Sequence, residues 1–121
     1  MRVERVNPKS LPRKIVAKTL KVKMGTREFG PKHKKLRTYR IILKVIDGGK
    51  YTNKLIEFFY RDKSSTKLLR KAVEKIGLSK VKNLERRTYV WIREPDPHWR
   101  SPKYYPIRQS RDKDIRHTGK P

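Results

Sequence analysis

Arg87, Tyr89, Trp91 and Arg93 occupy alternate positions of the run Arg87–Arg93 (RTYVWIR). In an extended strand, residues two apart share a face, so two cations and two aromatic rings would stand together. That mixture suits a single-stranded polyanion with flat bases: cations follow the phosphates and rings stack on the bases. The competing role is packing, with Tyr89 and Trp91 buried under a helix or a terminal arm and Val90 and Ile92 facing the core.

The chain as a whole points the same way. It has 121 residues and a formal net charge of +24, from 35 Lys and Arg against 11 Asp and Glu. The charge is uneven. From Lys9 to Lys44 basic residues recur every few positions, and Glu28 is the single acid among them. Self-repulsion at this density opposes a compact fold, so a polyanionic partner is its natural counterpart.

Catalytic chemistry finds little support. The chain contains no cysteine, which rules out disulfides, thiolate nucleophiles and zinc ribbons. Its histidines, His33, His98 and His117, lack ligand spacing. Glu94, Asp96 and His98 alternate and could converge on a cation as in metal-dependent nucleases, but Pro95 and Pro97 explain that spacing as a stiffened loop. Ser64 and Ser65 are better placed to cap a helix than to act as nucleophiles, and no phosphate-cradling Gly-rich loop with its Lys is present. The expectation is a non-enzymatic protein with no cofactor and no metal. No apolar run approaches the ~20 residues that span a bilayer, and no hydrophobic segment follows Met1, so no membrane partner and a cytoplasmic location are expected.

Those residues need a scaffold, and hydrophobic periodicity supplies one. Residues 1–14 hold prolines and basic residues with no sustained period, which reads as an extended basic arm. Leu20, Val22 and Met24 alternate with Lys21 and Lys23 in a first strand from Ile15. Ile15 and Ala17 lie on the opposite parity, which predicts a β-bulge near Lys18 or Thr19. Residues 25–35 read as a long basic loop punctuated by Gly25, Gly30 and Pro31. A second strand over 36–46 turns Tyr39, Ile41, Leu43 and Val45 to one side and Thr38, Arg40, Ile42 and Lys44 to the other. Asp47-Gly48-Gly49 signals a tight turn into a third strand near 51–60. Leu68, Leu69, Ala72, Val73 and Ile76 then mark a helix stopped by Gly77, with Lys67, Arg70, Lys71 and Lys75 on its solvent face. Thr88–Arg93 and Tyr104–Arg108 complete the set. The second of these is flanked by Pro102 and Pro106, as at an edge or closure point.

The order of three strands, a helix and two strands over 15–108 resembles the OB-fold, and the stretches SSTKLLRKAVEKIGL, LERRTYVWI and KYYPI resemble small viral and plasmid single-strand-binding proteins. The resemblance implies an all-β domain with one helix: a five-stranded barrel, the helix between strands three and four, and basic flexible termini at 1–14 and 109–121. It also implies a ligand path over strands two and three, between the loops joining strands one to two and four to five. The first loop offers Arg27, Phe29, Lys32, Lys34 and Lys35, the strand Arg37, Arg40 and Lys44, and the second loop Trp99, Arg100 and Lys103. With Arg87, Tyr89, Trp91 and Arg93 these form the expected nucleic-acid surface. The expected partner is single-stranded DNA or RNA, bound with little sequence preference, and no small-molecule substrate. The alternative is an RNA-binding component of a ribonucleoprotein, such as an archaeal ribosomal protein on ribosomal RNA, whose basic arms order within folded RNA.

Overall fold

The computed structural model describes residues 3–5, 10–94 and 102–111. They form one mixed sheet of six strands and one helix. In chain order the elements are β1 (Val3–Arg5), β2 (Lys14–Phe29), β3 (Lys34–Asp47), β4 (Leu55–Tyr60), α1 (Lys63–Lys75), β5 (Thr88–Glu94) and β6 (Lys103–Gln109). Across the sheet the order is β1-β4-β3-β2-β5-β6, with β1 parallel to β4 and the remaining pairs antiparallel.

The expected five-stranded closed barrel is therefore not what forms. The sheet is open: β1 stands at one edge and β6 at the other, and part of the supposed amino-terminal arm is the edge strand β1. The sheet does curl, because its apolar face is crowded with rings that pack on one another. Phe58 of β4 stacks on Tyr104 of β6 at 5.1 Å between centroids, although three strands separate β4 from β6 in the sheet. The Tyr60 hydroxyl donates to the Tyr104 carbonyl at 2.5 Å. Side chains, not a continuous backbone ladder, draw these strands together.

The alternation of β3 is realised in full. Tyr39, Ile41, Leu43 and Val45 are buried, while Arg40, Ile42 and Lys44 are half-buried on the outer face. Two register shifts interrupt β2, between Val16 and Ala17 and between Thr19 and Lys21. The second leaves Leu20 as an extra, exposed residue and returns Val22 to the core. Beyond Lys18, β2 loses β5 as a partner, and the 82–87 segment takes its place. Thr19 N–H donates to the Arg87 carbonyl, Arg86 N–H to the Thr19 carbonyl, and Val22 N–H to the Glu85 carboxylate.

Two sequence expectations about loops are also corrected. The supposed long loop over 25–35 is mostly strand, since β2 and β3 stay paired to Phe29↔Lys34 and only Gly30–His33 turn. Helix α1 is capped by Asp62, not by Ser64 or Ser65. Its Oδ1 accepts from both Ser65 N–H and Ser64 Oγ. At the other end Gly77 takes φ +87°, with Gly77 N–H bonded to the Glu74 carbonyl and Leu78 N–H to that of Val73. This Schellman ending needs the left-handed conformation that glycine adopts without a Cβ penalty. Helix α1 packs chiefly against β6 and buries Leu69 and Val73.

Candidate nucleic-acid interface

The basic and aromatic face expected on β5 does not exist as a surface. Trp91 is fully buried and its indole N–H donates to the Ala17 carbonyl at 3.3 Å, while Phe58 packs at 6.4 Å from its ring. Tyr89 is buried as well, and burial pushes its phenol pKa up. Packing wins because the curled sheet needs large side chains to fill the space between its two halves. Of that quartet, Arg87 is exposed, whereas Arg93 is half-buried and donates from Nη1 to the Leu11 carbonyl.

A different surface brings charge and rings together. On the outer face of β2, β3 and β4 the cross-strand register sets Lys18 opposite Lys44, Lys21 opposite Ile42 and Lys23 opposite Arg40, with Phe59 the next partner of Arg40. Phe59 is half-buried, and the Arg40 and Arg61 guanidinium carbons lie 5.7 and 4.1 Å from its ring centroid. Ile42 and Leu55 supply further half-buried apolar area between the cations. Like charges directly opposite in a sheet destabilise it, and here two such pairs, Lys18 with Lys44 and Lys23 with Arg40, lie on either side of the Lys21–Ile42 pair.

Glu57, buried beneath this face, binds Arg40. Its Oε2 accepts from Arg40 Nε at 2.6 Å and lies 2.5 Å from Nη2. Of the residues predicted for binding, then, Lys44 and Arg40 lie on this face, although Arg40 already carries a carboxylate. Arg27, Lys32, Lys34, Lys35 and Arg37 are exposed along the β2–β3 hairpin, and Lys103 is half-buried on β6. Trp99 and Arg100 lie outside the described residues, as do the Phe29 side chain, Asp96 and His98.

Lys18, Lys21, Lys23, Phe59 and Arg61 were not singled out by the sequence reading. Period-2 alternation would have found the lysines, which fall on one parity on each side of the Leu20 bulge. Phe59 was hidden inside an apolar run, LIEFFY, that shows no polar face. Among the described residues no group of three or more His, Asp and Glu could hold a metal ion, and no helix is long and apolar enough to cross a membrane. Comparison with protein-family models, with curated proteins and with solved structures finds no match to this chain.

Proposed function

We propose that this is a non-enzymatic nucleic-acid-binding protein that carries its ligand on the outer face of β2, β3 and β4. The observation that carries the reading is the register itself. Lys18 faces Lys44 and Lys23 faces Arg40 on one side of the sheet, and Arg40 is the cross-strand neighbour of the half-buried Phe59. The mutual repulsion of these cations is only partly offset by Glu57 at Arg40 and Glu85 near Lys21. A phosphate backbone would relieve that repulsion and release its own counterions, so affinity falls steeply with salt. Phe59 and the guanidinium groups over it offer a platform for an unpaired base, which favours a single strand, DNA or RNA, without sequence readout. Such a ligand fits a cytoplasmic setting.

One observation favours the ribonucleoprotein reading as the alternative. Lys67, Arg70, Lys71 and Lys75 are exposed on α1, away from the sheet's outer face, so positive charge surrounds the molecule. Charge on all sides suits burial in folded RNA better than contact along one groove.

Titration of fluorescently labelled single-stranded DNA, single-stranded RNA and duplex DNA over a salt series tests the proposal. Single strands should bind more tightly than their salt slope alone accounts for. Equal, weak and purely salt-controlled binding to all three would remove the single-strand reading.

A further inference from the structure

The hairpin of β2 and β3 extends past the sheet that supports it. β5 pairs with β2 only over Lys14–Lys18, and β4 pairs with β3 only over Tyr39–Lys44. From Gly25↔Thr38 to Phe29↔Lys34 the two strands therefore continue as a ribbon with no third strand. Four steps of ~3.4 Å between its five paired positions give it a length of about 14 Å before the turn. Every described side chain from residue 25 to residue 35 is exposed.

The placement of charge on this ribbon is informative. The register puts Arg27 and Lys34 on one face and Lys35 and Arg37 on the other, with Lys32 in the turn. Glu28, the ribbon's acid, is 3.4 Å from His33 Nδ1. A ribbon lying flat on a polyanion would need cations on one face only. Cations on both faces and at the tip match a slot with anionic walls on two sides.

We infer that the β2–β3 ribbon enters the major groove of B-form duplex DNA, beside the single strand held on the sheet face. The dimensions agree. A β-ribbon with side chains is ~10 Å thick, and the B-form major groove is ~12 Å wide and ~8.5 Å deep. The A-form major groove of RNA is too narrow and deep for side chains to read, and the B-form minor groove is only ~6 Å wide. The inference rests on the proposed sheet-face reading and extends it. Because ribbon and face are continuous along β2 and β3, the preferred ligand is a DNA duplex with a single-stranded extension.

The experiment uses the full chain and a variant with four exposed ribbon cations neutralised, R27Q/K32Q/K34Q/K35Q. Circular dichroism and melting establish that the variant folds. The probes are a single strand, a blunt DNA duplex, the same duplex with an extension, and an RNA duplex of equal length. The wild type should bind the extended duplex more tightly than either DNA part alone, and bound protein should shield guanine N7 in the major groove from dimethyl sulfate but not adenine N3 in the minor groove. Removing four phosphate contacts should lower the salt slope on DNA duplex by ~3.6 and lower the slopes on single strand and RNA duplex by clearly less. An unchanged duplex slope, equal losses on all probes, or shielding of adenine N3 would overturn the groove assignment while leaving the sheet-face reading in place. Absence of any binding by the wild type would remove both.

Discussion

Arg40 and Glu57 meet across β3 and β4 with Nε and Nη2 of the guanidinium both on one carboxylate oxygen, and the carboxylate is almost fully buried while the guanidinium remains partly exposed. Glu57 is thus a built-in counterion beneath a face otherwise dominated by lysine. Its loss and the loss of Arg40 should act in opposite directions on binding. Glu57→Gln removes a negative charge below the ligand path and should tighten binding of a labelled single strand several-fold. Arg40→Gln takes the guanidinium away from a buried carboxylate and should cost about 2 kcal/mol of folding stability, between the limits for exposed and buried pairs. It should also weaken binding. Denaturant melts with binding titrations on both variants check this, and a weaker Glu57→Gln complex would count against the face as the binding surface.

Trp91→Ala should cost about 3–5 kcal/mol in stability, as a large ring leaves a packed core. Trp91→Phe should cost less and leave affinity per folded molecule unaltered. Urea melts and binding measured on the folded Trp91→Phe variant separate the two. Weakened binding without destabilisation would return Trp91 to the ligand surface.

Glu85 gives the fold a pH dependence of definite sign. The Val22 N–H at 2.7 Å, and then Lys82 Nζ at 2.9 Å, hold its carboxyl below the usual value of 4.5. A depressed carboxylate contributes stability that is full above its unfolded-state pKa and is lost as pH falls through the folded one. Glu85→Gln should cost about 1–2 kcal/mol near neutrality. The difference between wild type and variant should shrink below about pH 4. Urea melts across that range read it directly.

Salt should act in opposite directions on the free protein and on its complex. Lys18 with Lys44 and Lys23 with Arg40 are like-charge pairs across β2 and β3, and the Debye length shortens from ~10 Å at 0.1 M to ~3 Å at 1 M. The melting temperature of the free protein should rise as salt is added while its affinity for nucleic acid falls. A melting temperature that falls with salt would mean that these pairs are not repelling each other.

The helix and strands β2, β3 and β5 were legible because each carries its own period, whereas β1, three residues inside an aperiodic basic stretch, was not. The β3 alternation, the bulge in β2 and the Gly77 stop depend on neighbours close in sequence. Closure was not legible. Whether β4 and β6 join by backbone or only through Phe58, Tyr60 and Tyr104 depends on residues more than forty apart, and no local period encodes it. The site was misplaced for a related reason. Alternation correctly puts Tyr89 and Trp91 on one face of β5 but cannot say which face is covered, and the same ambiguity hid Phe59 in a run with no polar parity. The basic ribbon was read as a loop because Gly25, Gly30 and Pro31 punctuate it, yet Gly25 pairs with Thr38 within the ladder.

The salt dependence of single-strand binding by the face variant K18Q/K21Q/K23Q/K44Q, compared with wild type, decides whether the outer face of β2, β3 and β4 holds the phosphates. Loss of four phosphate contacts should lower the slope by ~2.8. Phe59→Leu, measured beside it, should weaken binding by ~1–3 kcal/mol at constant slope. A face variant that keeps the wild-type slope and affinity would mean that the ligand binds elsewhere.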